Sequence, residues 1–438
     1  MKSIKLTAVA ALLIAGEAFA ASTVSDVVAR QRWPWNGKVD IDFTVTGDTT
    51  NVDFMATWDG QSYPVLLGTA YDAAAGQHRF EFDPASLGLA NETLTGFAVT
   101  AANSADHTYL ILDLVNGGYS YLADVPAGGW TDEHKSTKMV FRRIPKGAYA
   151  NGVSATGMIT MFGNDAVGPA TGNTRFGKPA QYMCSRTDTL SSDFYMAIFP
   201  MTIAQHSYAT KSGVSTDYKV KDVTFNALRG NTAENEIYWP QTEYKVADNS
   251  LVNTFRGLSG NTLLIDLPTE QQWEAAARCG ASTVFPEGGT LANSPEAFQE
   301  ITNIINKIAV WIGNDETTYT SVGTKEPNRF GLYDTVGVCH EWTLSVAMWQ
   351  ASATSTPRLG LSSNSDYVGC TFDTTRDSSI KKSNRILKSN VAFNPEIELW
   401  KLFPSFRSLK SQESSQNIGA RFCIHLKPLD FTTADKWN

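Results

Sequence analysis

Apolar and polar positions alternate with a period of two through the first part of the chain. Val39, Ile41, Phe43 and Val45 interleave with Lys38, Asp40, Asp42 and Thr44, the pattern of a strand with one wet face. Gly47-Asp48 closes that run. Val52, Phe54, Ala56 and Trp58 resume it up to the hairpin signal Asp59-Gly60. Further strands fit Tyr63–Leu67, His78–Phe82, Leu94–Val99 and Thr108–Val115. Turn residues recur at roughly ten- to fifteen-residue intervals and no 3.6-residue period emerges, so residues 21–135 predict a small all-β sandwich. Ala127–Asp132, rich in glycine, is the expected linker to a second domain.

The pattern changes beyond it. Phe194–Phe199 predicts a strand, and Thr202 an N-cap for a short helix through Tyr208. The clearest helix is Glu270–Arg278. Pro268 breaks the chain before it, Thr269 caps it, and Gln272 completes a T-x-x-Q capping box. Trp273, Ala276 and Ala277 form its apolar stripe, and Gly280 ends it. Ser294-Pro295 opens another helix with Phe298, Ile301, Ile305 and Ile308 on one face. The fold class expected is α+β, a sandwich followed by a mixed domain with little regular structure.

Composition narrows the function classes. The chain has 438 residues, 18% of them charged, and a net charge of -8. That balance, with no run of lysine and arginine longer than a pair such as Lys381-Lys382, argues against nucleic acid as a partner. Residues 1–20 read as a signal peptide: Lys2 and Lys5, an apolar run from Leu6 to Gly16, then Ala18-Phe19-Ala20. The run is too short to cross a bilayer and no later run reaches 18 apolar residues, so the protein expected is secreted or periplasmic and not membrane-spanning. The five cysteines, Cys184, Cys279, Cys339, Cys370 and Cys423, lie far apart without C-x-x-C spacing, which gives neither a zinc motif nor a disulfide scaffold.

Pro327–Trp342, PNRFGLYDTVGVCHEW, is the stretch with candidate chemistry. Asp334 and Glu341 are seven residues apart, and Gly331 and Gly337 sit at bend positions. Gly337 and the β-branched Thr335, Val336 and Val338 argue against a helix. A loop that turns back brings both carboxylates and some main-chain carbonyls toward one point, the oxygen set that Ca²⁺ prefers. The alternative is a tight turn whose acids face water.

This stretch, together with LPTEQQWEAAARCG at Leu267–Gly280 and IGARF at Ile418–Phe422, resembles the formylglycine-generating enzyme, or sulfatase-modifying factor, family. The order and wide spacing of the three segments match that family, and the resemblance covers residues 138–427, leaving 428–438 as a tail. It implies a variant of the C-type lectin fold. It also implies a calcium ion held by Asp334, the Gly337 and Cys339 carbonyls, and Glu341. A first calcium site of the family falls on Ala309-Val310-Trp311, where Val310 replaces an asparagine ligand, with Asn314 and Asp315 nearby.

The resemblance breaks at the chemistry. The family's oxidase activity needs two cysteines that follow an R-G-G-S segment and hold Cu(I), a soft ion that selects sulfur. Here that segment is Arg385–Asn390, with Leu387-Lys388 for the diglycine, and no cysteine lies between Cys370 and Cys423. Copper is therefore not expected, and no catalytic residue is assigned. The H-x-x-x-H-x-E iron motif of a sulfoxide-forming branch is absent from the six histidines too. Cys339-His340 places a thiol beside an imidazole, but neighbours on an extended segment point to opposite faces. Two functions are expected. The first is a non-catalytic binding or structural protein, with a protein or glycan ligand met by Trp349–Tyr367 and by Trp400, Phe403 and Phe406. The alternative is an oxidoreductase acting on a sulfatase cysteine, or another metal-dependent oxidase of the same fold.

Overall fold

The computed structural model describes residues 23–32, 37–47, 50–58, 61–64, 71–83, 98–103, 107–153, 161, 186–190, 192–230, 246–311, 313–314, 320–346, 384–390, 399–411 and 414–426. Residues 1–20, Cys184, Asp315, the Trp349–Tyr367 stretch and Cys370 lie outside these residues.

Among the described residues, the N-terminal unit holds the strands β1 Thr23–Gln31, β2 Val39–Thr46, β3 Thr50–Trp58, β4 Gln61–Pro64, β5 Tyr71–Ala73, β6 Gly76–Phe82 and β7 Ala98–Asn103. One sheet runs β1-β2-β6; in the other, β3 pairs with β4, β5 and β7. The alternation of the sequence decides which side chains face inward: Ile41, Phe43 and Val45 meet Val52, Phe54 and Ala56 in one core. The Phe43 and Phe54 rings pack edge to face at 5.0 Å.

The next two strands depart from the expected boundary at residue 135. β8 (Tyr109–Asp113) and β9 (Tyr119–Leu122) join a six-stranded sheet with β10 (Lys138–Ile144), β13 (Phe194–Ala197), β14 (Leu264–Asp266) and β19 (Cys423–His425), in the order β14-β19-β13-β10-β8-β9. β11 (Gly147–Asn151) and β12 (Arg186–Leu190) form a separate hairpin. β8 is buried on both faces from Tyr109 to Leu112, the mark of a central strand rather than a half-wet one. The expected linker leads instead into a 3-10 turn at Asp132–Lys135 within this second unit, where Thr202 Oγ1 donates to Lys135 O at 2.7 Å. Short-range alternation finds strands but not their partners, which is why the boundary moves.

Each face of the six-stranded sheet carries its own core. Leu110, Phe141, Tyr195 and Ile424 pack against α1 (Ile203–Thr210), α2 (Phe225–Arg229) and α3 (Leu251–Leu258). Ile111, Val140, Phe194 and Met196 pack against α4 (Glu270–Arg278). The latter helix is capped as its sequence requires: Thr269 Oγ1 accepts from Gln272 N at 3.2 Å and Gln272 Oε1 accepts from Thr269 N at 2.9 Å. Cys279, at φ 54°, makes the left-handed exit one residue before Gly280. A further helix, α5 (Pro295–Ile308), buries Ala297, Ile301, Ile305 and Ile308. Beyond α4 lies a four-stranded sheet in the order β17-β16-β15-β18, from β15 His340–Val346, β16 Asn384–Lys388, β17 Ser408–Ser411 and β18 Ile418–Gly419.

The expected apolar stripe of α4 understates its burial, since all nine residues are buried. Its acids are neutralised inside the protein. Lys388 Nζ lies 3.1 Å from Glu274 Oε2 and 3.6 Å from Glu270 Oε1, and Arg407 Nε binds Glu270. Buried charges persist only where they are paired in this way. The sandwich meets the second unit through Arg143 on β10, which binds Asp53 of β3 and, at 2.7 Å, Asp193. His107 Nδ1 lies 3.1 Å from the same Asp53 carboxylate.

Candidate functional site

Asn328 fixes where the Pro327–Trp342 stretch begins. Its Nδ2 donates to Ala276 O and Ala277 O, at 2.9 and 3.0 Å, at the C-terminal end of α4. Its Oδ1 accepts from Phe330 N and Leu332 N, both at 3.0 Å. One side chain thus satisfies orphan helix carbonyls and a tight turn together. Gly331 supplies the turn's left-handed residue at φ 78°.

The chain then crosses the sheet, with Tyr333 N donating to Ile198 O at 2.9 Å, and doubles back. Asp334 and Val338 take left-handed conformations at φ 55° and 58° around Gly337 at 75°. Gly337 is required on two counts. Its φ is unfavourable for other residues, and a Cβ there would lie 2.2 Å from Val310 O. For a β-branched residue such as Val338 that conformation costs about 1–3 kcal/mol, a strain found where surrounding contacts overdetermine the backbone. Cys339 N closes the bend on Gly337 O at 2.7 Å.

The loop brings Asp334 and Glu341 into one buried space, 2% and 0% exposed. Between them lies Arg421. Its Nη1 donates to Ala197 O and Ile198 O, both at 2.9 Å. Its Nη2 donates to Tyr333 O at 2.8 Å, Asp334 O at 3.1 Å and Glu341 Oε1 at 2.8 Å. Its Nε spans Glu341 Oε1 and Oε2 at 3.2 and 3.0 Å. Trp273 Nε1 donates to Glu341 Oε2 at 2.5 Å. Helical periodicity assigns Trp273 to the core alone and carries no sign of this contact. The signal that ties Trp273 to an acid is its own chemistry, since a buried indole N–H requires an acceptor.

Of the four residues expected around calcium, Asp334 has a free donor. Its Oδ2 accepts from Gly323 N at 2.7 Å, while Oδ1 is buried without a hydrogen-bond partner. Burial raises the Asp334 carboxyl to about 6, with repulsion from Glu341 adding to it. Glu341 and Gly337 have no such capacity. Each Glu341 oxygen already accepts two donor contacts, and Gly337 O accepts from Cys339 N and, at 3.1 Å, from Ser389 Oγ. A carbonyl or carboxylate oxygen has two lone pairs, so this set does not fit a calcium ion while Arg421 holds Glu341. Among the described residues no three His, Cys, Asp or Glu side chains are grouped to hold a metal. Asn314, expected near a first calcium, instead ties its own loop. Its Oδ1 accepts from Trp311 N at 3.0 Å and its Nδ2 donates to Ala309 O at 2.9 Å.

The thiols and imidazoles nearby are held neutral. Burial pushes the Cys339 and Cys423 thiols well above their ordinary values and lowers His340 to about 4. His340 Nδ1 pairs with Ser389 O at 3.0 Å. Phe403 and Phe406, expected as ligand contacts, are core residues with Trp400 packed against them.

The family model described as the sulfatase-modifying factor enzyme 1-like domain matches residues 131–424. Among solved structures the chain is similar to PvdO from Pseudomonas aeruginosa, with 18% identity, a TM-score of 0.37, and 68% of this chain and 97% of that one covered. It is similar to Treponema denticola variable protein 1, with 16% identity, a TM-score of 0.39, and coverage of 68% and 98%. It is similar to CarF, with 13% identity, a TM-score of 0.30, and coverage of 65% and 99%. No curated protein matches it.

Proposed function

The chain belongs to the family of sulfatase-modifying factor enzyme 1-like domains, and from that premise we propose that it is an exported, non-catalytic binding or structural protein built on the family's scaffold. The observation that carries this reading is the state of its cysteines. No cysteine lies between Cys370 and Cys423, so the paired thiolates that would hold Cu(I) have no local counterpart. Cys279, Cys339 and Cys423 are free thiols, and Cys339 and Cys423 are buried among apolar side chains that disfavour a thiolate.

The export reading rests on the Met1–Ala20 pattern. Among the described residues no helix is long and apolar enough to cross a membrane. A rigid frame with long loops suits ligand capture, since loops on a fixed scaffold carry most binding contacts. A protein or glycan is the ligand class that the Ser/Thr-rich, aromatic-flanked Trp349–Tyr367 segment would meet.

Family membership itself favours the alternative, oxidation of a sulfatase cysteine. Copper-treated protein incubated with a Cys-x-Pro-x-Arg peptide separates the two. The binding reading expects an unchanged peptide mass and capture of a partner on a glycan array or from the exported fraction. Conversion of the peptide cysteine to an aldehyde would establish the alternative.

A further inference from the structure

We propose that Arg421 is the resident cation of this site, its guanidinium holding the Pro327–Trp342 loop in the way a divalent ion would, so that the loop folds without calcium. The donor geometry carries this. Five oxygen-bearing groups converge on the one guanidinium: the carbonyls of Ala197, Ile198, Tyr333 and Asp334, and the Glu341 carboxylate. They come from two separate stretches of chain, Ala197–Ile198 and the Pro327–Trp342 loop, which the guanidinium ties together. Arg421 and Glu341 are both fully buried, so their pairing is shielded from the solvent screening that weakens surface ion pairs.

Arg421 reaches these oxygens because of where it lies in the fold. It falls between β18, which runs parallel to β15 beside His340 and Glu341, and β19, which pairs with β13 below Ala197. The position therefore faces the Ala197 and Ile198 carbonyls and the Glu341 side chain at once. A planar fork with five N–H donors spreads over such a set where a point charge could not. Asp334 enters through its backbone oxygen, and its side chain remains outside the arginine shell.

Arg421 and a metal would thus compete for Glu341, and that competition is measurable in the full-length protein. The native chain is expected to melt at the same temperature in EGTA as in excess Ca²⁺. Arg421→Met keeps the bulk and removes the charge, which frees Glu341 Oε1 and leaves Oε2 with the Trp273 donor alone. That variant is expected to melt lower than the native chain and to be raised by Ca²⁺, with Tb³⁺ emission sensitised by Trp273. A variant that gains nothing from Ca²⁺ would contradict the proposal. So would a native melting temperature that Ca²⁺ raises and that Asp334→Asn makes indifferent to Ca²⁺. Should Arg421→Met fail to fold, terbium titration of the native chain decides. Absent Trp-sensitised emission supports the proposal; saturable emission lost in Asp334→Asn overturns it.

Discussion

The indole of Trp273 donates its N–H to Glu341 Oε2 at 2.5 Å, across 68 positions of sequence. The pair joins α4 to the loop that holds Arg421. Trp273→Phe keeps most of the packing and removes the donor, so it is expected to cost about 1–3 kcal/mol, the range for leaving one buried acceptor short. Urea denaturation of the two proteins measures the difference. An unchanged midpoint would show that the bond holds nothing.

Asn328 makes a sharper case because donor and acceptor roles can be separated. Asn328→Asp keeps the two acceptor bonds to Phe330 N and Leu332 N. It loses the two donors to Ala276 O and Ala277 O and sets a negative charge at the negative end of α4. The expected loss is about 2 kcal/mol or more, larger than for Asn328→Ala. Thermal unfolding ranks the two variants.

His425 gives the fold a pH dependence. Burial lowers its imidazole to about 4, against opposing contributions from Asp266 and Leu267 O. Its Nε2 donates to Leu267 O at 3.0 Å, while Nδ1 accepts from Gln272 Nε2 at 3.3 Å, so the neutral ring has both partners. Because the folded value lies below the unfolded one, the unfolded chain binds more protons between them. The contribution is present above about pH 6.5 and is lost as pH falls toward 4, by about 3 kcal/mol across the window. His340 shifts in the same direction. Denaturant unfolding of native protein and His425→Gln over this range should show a shallower acid loss in the variant, and parallel curves would contradict the assignment.

The join between the two units depends on Asp53. Burial opposes its ionisation, but the His107 hydrogen bond and the Arg143 charge outweigh that and lower its carboxyl. Asp53→Asn leaves Arg143 with Asp193 and weakens the grip on the sandwich, at an expected cost of about 2 kcal/mol or more. Calorimetry should then separate one unfolding transition into two; a single unshifted transition would count against the join.

Local signals are legible in the sequence where the physics is local. The Thr269/Gln272 capping box and the β2 alternation need only neighbours within a few positions, and both appear as expected. Pairing across long separations leaves no such trace. Leu112 of β8 pairs with Met139 in the second unit's sheet, and Lys388 neutralises Glu274 across 114 positions. The same limit applies at the site. Gly331 and Gly337 foretell a loop that gathers Asp334 and Glu341, but the cation facing them is Arg421, 80 positions beyond Glu341.

A binding or structural role for this member of the sulfatase-modifying factor enzyme 1-like family requires that it lack two thiolates able to share a copper ion. Titration of the purified, reduced chain with Cu(I) against a chromogenic chelator tests that directly. The chelator is expected to keep the copper at every ratio; one tightly held equivalent per chain, lost on substitution of a cysteine, would show that such a thiolate pair exists.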